Sequence, residues 1–212
     1  MLRELTLCFE VAVPAASPAA RLASVRPTPA AQGAAAQSEQ LPAGGDFALT
    51  DHDGRRFELK SLRGKVVLLY FGYATCTEAC PAMLTKVSSV YRLLGRSKDS
   101  AAFVLVSVDP ERDTPRKLKS YLGYFRVPAT GLTGGRAEID EVVARYGARY
   151  EIEKSDSALG YHVSHTTDLF LIDRAGQLRR RFKHDERAAR IAAGIKELLR
   201  AAPHTGSPPR RT

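Results

Sequence analysis

Two cysteines separated by three residues are the strongest chemical signal in the sequence. Cys76 and Cys80 lie in the stretch FGYATCTEACPAML, between an apolar run and a run of helix-forming residues. With this spacing the two sulfurs can meet in one loop, either as a disulfide or as joint ligands of a metal ion. The positive end of a helix favours thiolate over thiol, and thiolate is the form that attacks disulfides and binds metals. The pair therefore predicts redox or metal chemistry.

A strand and a helix must hold this pair in place. The apolar run over 66–71, ended by Gly72, is typical of a central strand covered on both faces. Pro81 suits the first turn of a helix, where no amide donor is needed. Since Thr77 and Glu78 are polar, the turn between the two elements is expected to be exposed. An exposed turn does not favour the alternative that the cysteines are merely small buried apolar residues.

The rest of the chain alternates strands with helices, which predicts an α/β fold with a central mixed sheet flanked by helices. A closing strand-turn-strand unit and an N-terminal hairpin around Asp53-Gly54 add antiparallel strands. Asp113 or Thr114 is expected to cap the second helix, and Asp185 the last one. The further predicted strands cover 102–108, 150–153, 168–173 and 178–183, with a short strand or turn over 131–134, and the predicted helices cover 81–94, 115–125, 137–146 and 185–201.

Length and composition predict one folded domain with extensions. The chain has 212 residues, and a single domain commonly holds about 100 to 200. Residues 1–44 are rich in Ala and Pro and are predicted to be a disordered extension or linker, followed by a folded domain over 45–202 and a flexible tail over 203–212. No apolar run near the start approaches the roughly 20 residues that cross a bilayer, so neither an export signal nor a transmembrane helix is expected. Cys8 follows too short a stretch for a lipid anchor and is interpreted as an isolated tail cysteine.

The chain is basic, with a formal net charge of +9. A basic surface can attract an acidic partner or an anionic membrane, although a solvated surface without a special role is the simpler interpretation. No pattern typical of a nucleic-acid-binding module occurs, so no nucleic-acid partner is expected.

Three separated motifs carry a resemblance to a known family. They are Cys-x3-Cys-Pro, the run SVDPERDTPRKLKSYL and, after GLTG, a histidine shortly before a strand in SHTTDLFLIDRAGQL. Together they resemble the Sco/SenC family of thioredoxin-like copper proteins, which serve assembly of the binuclear copper site of cytochrome c oxidase. The resemblance covers roughly 45–199 and implies a thioredoxin-like fold, with His165 in the loop that leads into the strand over 168–173. It also implies that Cys76, Cys80 and His165 hold copper, as Cu(I) or Cu(II).

These three residues also suit copper on chemical grounds. Two thiolates and an imidazole form a soft ligand set that favours copper over the hard cations magnesium and calcium. Zinc accepts the same atoms, but a structural zinc usually takes four protein ligands, and only three are apparent in this sequence. An open site with three ligands suits an ion that must be passed on.

Other residues near the motifs are weaker candidates. His162 lies three residues before His165 and competes for the ligand role, and the family motif selects His165. Met83 lies one helical turn after Cys80 and offers a thioether to a metal, but packing is its expected role. A charged loop follows a central strand and consists of Asp109, Glu111, Arg112 and Asp113. It is expected to form part of a docking surface or of the surroundings of the site, and the alternative is that its residues serve only in turns and helix caps.

No role is assigned to His52, His184 and His204.

Two residues depart from the family pattern. Ser164 stands where relatives often have Asp before the ligand histidine, and Thr75 stands where they often have His before the first cysteine. Residues that contact the metal ligands commonly change metal affinity by about 10 to 100-fold. These two departures are therefore expected to affect the affinity for copper rather than the identity of the metal. The membrane helix of many relatives is not evident either.

Three functions are open at this point. The first is a copper metallochaperone that delivers copper to the copper-site subunit of cytochrome c oxidase or to another copper protein. The second is a thiol-disulfide oxidoreductase, in which Cys76 and Cys80 are the redox-active pair and reduce the cysteines of the copper acceptor. The third is a peroxide-reducing enzyme on the same scaffold. The resemblance places the protein in the periplasm or on the outer face of the cytoplasmic membrane, as a monomer with membrane association allowed.

Overall fold

The computed structural model describes residues 41–125, 127–155 and 160–201. Cys8, His204, most of the predicted N-terminal extension and the whole predicted tail lie outside these residues. The described strands are β1 (Ala48–Asp51), β2 (Arg56–Glu58), β3 (Val66–Gly72), β4 (Ala101–Ser107), β5 (Ala129–Thr133), β6 (Tyr150–Lys154), β7 (Tyr161–His165), β8 (Leu169–Ile172) and β9 (Leu178–Phe182). The described helices are α1 (Ala79–Leu94), α2 (Pro115–Phe125), α3 (Arg136–Arg145) and α4 (Ala188–Arg200). None of these helices has the length and apolar character needed to cross a bilayer.

Seven of the described strands form one mixed sheet, in the order β2-β1-β5-β4-β3-β8-β9. β3 runs parallel to β4, and β4 runs parallel to β5. The strands β1, β2, β8 and β9 join antiparallel to their neighbours. The strands β6 and β7 form a separate two-stranded antiparallel ribbon. The predicted central mixed sheet, its flanking helices and the N-terminal hairpin are therefore confirmed.

The strand β3 lies inside the sheet and leads directly into the cysteine motif. All of its residues are buried, as expected of a continuous apolar run covered on both faces. Helix α4 packs against α1 and β3, and helix α2 packs against β5. The parallel strands β3 and β4 end at the same edge of the sheet, one before the cysteines and the other before the charged loop. In open α/β sheets this edge is where ligands bind.

Two predictions about helix starts need correction. Helix α1 begins at Ala79, because the N–H of Ala82 already donates to the carbonyl of Glu78, so Cys80 lies in the first helical turn rather than in the preceding turn. Asp185 does not cap α4, because this helix starts later and Arg187 occupies the capping position without a side-chain hydrogen bond.

Two further local predictions are resolved by hydrogen bonds. The hydroxyl of Thr114 accepts the N–H of Lys117 (3.2 Å), so Thr114 rather than Asp113 caps α2. His165 does not lie in a loop but is the last residue of β7, because residues 161–165 pair in register with β6.

Candidate metal centre

The two cysteines lie where β3 is connected to α1. Cys76 belongs to the connection, and its N–H donates to the carbonyl of Tyr73 (3.3 Å). Cys80 lies in the first turn of α1, and its N–H donates to Sγ of Cys76 (3.4 Å). Both are free thiols. The two sulfurs therefore lie at the N-terminal end of a helix, where the helix dipole stabilises negative charge.

His165 completes a group of three metal-binding side chains. Its Nε2 lies 3.7 Å from Sγ of Cys80, and one ligand atom from each of Cys76, Cys80 and His165 lies within 4.8 Å of the others. Bonds of about 2.0–2.3 Å to a shared ion place ligand atoms roughly 3.5–4 Å apart, so a small contraction allows all three to bind one ion. The structure thus brings together the residues that the sequence predicts as copper ligands.

The ring of His165 is held in an orientation that suits metal binding. Its Nδ1 lies 3.0 Å from the carbonyl oxygen of Thr166. Since a carbonyl only accepts, Nδ1 carries the proton and Nε2 presents its lone pair on the side of the sulfurs, as in metal-bound histidines. The rings of Tyr70 and Tyr73 pack edge-on against the imidazole, with centroid distances of 6.0 Å and 5.6 Å.

Thr77 and Glu78 are exposed, as the prediction of an exposed turn requires, but both cysteines are buried. Cys76 is 8% exposed and Cys80 is fully buried. The reason is that Cys80 begins the buried face of α1, which continues through Met83 and Leu84 at helical spacing. Met83 accordingly packs in the core.

The two thiols differ in acidity. The pKa of Cys76 is lowered well below its ordinary value, mainly by the hydrogen bond from the thiol of Cys80, with further hydrogen bonds from the backbone N–H groups of Cys80 and Glu78. Burial opposes this shift. The pKa of Cys80 is raised, because its thiol donates a hydrogen bond to the sulfur of Cys76 and because burial disfavours a second thiolate. Cys76 is therefore the thiolate at neutral pH, and Cys80 is its protonated partner.

This asymmetry is expected to appear when the reduced protein is alkylated. Iodoacetamide should modify Cys76 at a rate that stays flat from about pH 8 to about pH 6, because the thiolate persists well below the ordinary thiol pKa of about 8.5. Cys80→Ala removes the main hydrogen-bond donor and should move the profile to higher pH. Mass spectrometry of a Cys8→Ser background measures the rate at Cys76 alone. A rate that falls about tenfold per pH unit across this range would show that Cys76 is an ordinary thiol.

Buried tyrosines line the centre, and the sequence motifs did not predict them. The hydroxyl of Tyr70 donates to Sγ of Cys80 at 3.8 Å. The hydroxyl of Tyr121 is buried and makes no hydrogen bond within the described residues, and its pKa is raised by burial and then by the sulfurs of Cys80 and Cys76. Tyr70 and Tyr73 stand beside the cysteine motif in the sequence, a signal that could have found them, whereas Tyr121 reaches the site only through the fold.

Asp113 of the charged loop fixes the connection that carries Cys76. Its carboxylate is fully buried and accepts hydrogen bonds from the N–H of Ala74 and the hydroxyl of Ser107, both at 2.8 Å. Lys117 lies 3.4 Å from the other carboxylate oxygen and donates to the hydroxyl of Thr75 at 3.0 Å. This part of the loop therefore shapes the surroundings of the site.

Asp109 and Arg112 hold the strand that ends in His165. The hydroxyl of Tyr161, at the start of β7, donates to the buried carboxylate of Asp109 at 2.7 Å. The guanidinium of Arg112 stacks on the Tyr161 ring, 3.6 Å from its centroid, and pairs with Asp109. Since Tyr161 begins the strand that His165 ends, these contacts position the imidazole. Glu111 instead forms an ion pair at the surface.

Gly72 leaves room for the sulfur of Cys80. A Cβ at this position would lie 2.8 Å from Sγ of Cys80 and 2.8 Å from Cε1 of Tyr70. Gly72→Ala is therefore expected to displace Cys80, to lower copper affinity about tenfold or more and to destabilise the fold by about 1–3 kcal/mol. Chelator competition and chemical denaturation measure the two effects. The matched control is Gly123→Ala, where an added Cβ meets nothing within 4 Å, and equal copper affinities in the two variants would contradict the expectation.

The other described histidines do not join the three-residue group. His162 lies on β7, with Nδ1 at 3.2 Å from the hydroxyl of Tyr73. Nδ1 of His52 accepts the N–H of Gly131 at 2.9 Å, and the carbonyl of His184 accepts a hydrogen bond from a lysine.

Comparison with known proteins gives a consistent set of relatives. The SCO1/SenC family model matches residues 35–200. The SCO2-like protein of Rickettsia conorii is 33% identical over 148 residues, which cover 69% of this chain and 72% of that protein. The human mitochondrial protein named SCO1 homolog is 34% identical over 159 residues, which cover 74% of this chain and 53% of the human protein.

A solved structure also resembles the chain. The copper-bound structure of Bradyrhizobium japonicum ScoI is 37% identical and superposes with a TM-score of 0.68, covering 74% of this chain and 99% of that chain. This similarity, together with the mixed sheet and its helices, confirms the predicted thioredoxin-like fold.

Proposed function

The chain belongs to the SCO1/SenC family, and from this we propose that it binds one copper ion through Cys76, Cys80 and His165 and delivers it to the copper site of cytochrome c oxidase or to another copper protein. The observation that carries the proposal is the convergence of two free thiols and one imidazole within 4.8 Å. A soft ligand set of this kind suits copper, and the related ScoI binds copper in its solved structure.

The three ligands differ in what each must release to bind the ion. Cys76 is already a thiolate. Cys80 must lose its proton to solvent, since copper takes the thiolate form. His165 offers the lone pair of Nε2, while its Nδ1–H stays on the carbonyl of Thr166. Loading of one copper ion therefore releases about one proton at neutral pH.

The redox state of the cysteines controls loading. If Cys76 and Cys80 join in a disulfide, the pair gives up two electrons and its remaining proton, and both thiolate ligands are lost. Only the reduced protein then binds copper tightly.

Delivery proceeds by stepwise ligand exchange. A site with three protein ligands leaves a coordination position open, so a soft ligand of the acceptor can bind copper before Cys76, Cys80 and His165 leave it. The ion is never stripped of all its ligands. We propose that this step occurs in the periplasm or at the outer face of the cytoplasmic membrane.

The unequal thiols favour a second candidate, a thiol-disulfide oxidoreductase. The thiolate of Cys76 would attack one sulfur of an acceptor disulfide and release the other sulfur as a thiolate. Cys80 would then lose its proton and attack Sγ of Cys76, which frees the acceptor as a dithiol. The cysteine pair loses two electrons in this exchange, and the acceptor gains them.

Anaerobic titration of the reduced protein with Cu(I), in competition with a chromophoric chelator, tests the leading proposal. We expect one tightly bound equivalent, and no tight binding after the same protein has been oxidised to the disulfide. Insulin reduction is measured in parallel. The absence of copper binding, combined with insulin reduction at rates typical of thioredoxin, would reject the chaperone and support the oxidoreductase.

A further inference from the structure

His162 is an exposed imidazole beside the metal centre that the three-ligand site does not use. It lies on β7, three residues before His165. The hydroxyl of Tyr73 lies 3.2 Å from its Nδ1. The ring makes no other hydrogen bond within the described part of the chain, so its Nε2 is available to a ligand.

Tyr73 contacts both histidines. Its ring is 2% exposed and packs edge-on against His165 at 5.6 Å and against His162 at 6.3 Å between centroids. Each imidazole has its Nδ1 engaged, His165 by the carbonyl of Thr166 and His162 by the hydroxyl of Tyr73. Metal-binding histidines share this arrangement, in which one ring nitrogen forms a hydrogen bond to a protein group and the other nitrogen binds the ion. One buried ring thus neighbours two imidazoles, one at the thiols and one at the surface.

The burial of the thiols creates a need for such a surface ligand. Cys80 is fully buried and Cys76 is 8% exposed. A copper ion that arrives with a donor must exchange ligands near the surface, because a cation without ligands is very costly to bury. An exposed imidazole with one free ring nitrogen is a common metal ligand.

We propose that His162 is a transient copper ligand at the entrance of the site, which receives the ion from a donor and passes it to Cys76, Cys80 and His165. This inference rests on the proposed function. It assigns a role to a histidine that lies outside the three-residue group, and the same step serves in reverse when copper leaves.

The transfer consists of ligand exchanges without electron transfer. Copper forms a bond to Nε2 of His162 as one donor ligand leaves, while Nδ1 keeps the ring proton and donates to the hydroxyl oxygen of Tyr73. A bond to the thiolate of Cys76 then replaces the bond to Nε2. The proton of Cys80 passes to solvent as the second sulfur binds, and His165 completes the set.

Stopped-flow transfer of Cu(I) from a chromophoric chelate to the reduced protein tests this inference. His162→Gln, whose amide N–H can still donate a hydrogen bond to the hydroxyl of Tyr73, should slow uptake by about tenfold or more while the equilibrium affinity stays within about threefold of the wild type. Glu151→Gln removes a charge from the paired strand β6 without changing either ring, and it should take up copper at the wild-type rate.

A second measurement does not depend on the three-ligand site. In a Cys76→Ser, Cys80→Ser protein, Ag(I) serves as a diamagnetic substitute for Cu(I) and should shift the NMR signals of the His162 ring in a saturable way. Wild-type uptake rates in His162→Gln, with copper affinity intact, would overturn the inference and leave the proposed function standing. If the wild type bound no copper, the proposed function would fail. NMR signals of His162 that do not shift with Ag(I) would overturn the role of His162 as a metal ligand.

Discussion

Replacing both Cys76 and Cys80 by serine is expected to abolish tight copper binding. A serine hydroxyl stays protonated at neutral pH, so the variant loses two soft anionic ligands and keeps one imidazole. Structural metal sites with four ligands bind with about 10–16 kcal/mol, so losing two ligands should cost at least about 5 kcal/mol, or about 10⁴-fold in affinity. Anaerobic competition of the variant and the wild type against a Cu(I) chelator measures the difference.

The third cysteine supplies the control for this experiment. Cys8→Ser keeps both cysteines of the motif and should bind copper as the wild type does. Thermal unfolding establishes that the double variant is folded. Tight binding of copper by a protein that lacks Cys8, Cys76 and Cys80 would show that the ion is held elsewhere.

His165→Ala is expected to lower copper affinity by at least about 100-fold, which is about 2.7 kcal/mol. The variant loses the nitrogen that lies 3.7 Å from Sγ of Cys80 and is left with a dithiolate. Removing a residue that hydrogen-bonds to a metal ligand already lowers metal affinity by about 10 to 100-fold, and removing the ligand itself lowers the affinity further. Exchange of the dithiol with glutathione disulfide should continue within a few fold of the wild-type rate, because both sulfurs remain.

The same experiment separates the two candidate functions. His52→Ala removes a histidine that lies outside the three-residue group and should leave copper affinity unchanged. Wild-type copper affinity in His165→Ala would show that the imidazole is not a ligand. Loss of dithiol exchange together with copper binding would show that His165 serves the thiols rather than the metal.

The candidate ligands differ in how far the sequence alone can place them. Cys76 and Cys80 are close in the chain, so local spacing is enough to bring their sulfurs together. His165 follows Cys80 by 85 residues, and no spacing rule connects them. Only the order of three motifs typical of one family indicates that the fold brings this histidine to the cysteines.

The strands can likewise be predicted from the sequence only where local patterns determine them. The strand β3 and the hairpin around Asp53-Gly54 follow from local patterns, namely an apolar run and a turn dipeptide. The strand β7 forms because it pairs with β6, and strand formation depends strongly on such neighbours. The family resemblance therefore implies a loop at His165, where the fold makes a strand.

The burial of charged side chains could not be predicted from the sequence either. Asp109 and Asp113 look like members of a solvated loop, but both are fully buried. Their partners come from distant segments: Tyr161 donates to Asp109, and Ala74 donates to Asp113. A buried carboxylate is stable only with such partners, and these are visible only in three dimensions.

X-ray absorption spectroscopy of the copper-loaded, reduced protein tests the proposed metal centre most directly. Ligation by Cys76, Cys80 and His165 should give a first shell of two sulfurs and one imidazole nitrogen, and the imidazole contribution should disappear in His165→Ala. A first shell without sulfur, or one without imidazole in the wild type, would contradict the assignment of copper to these three residues.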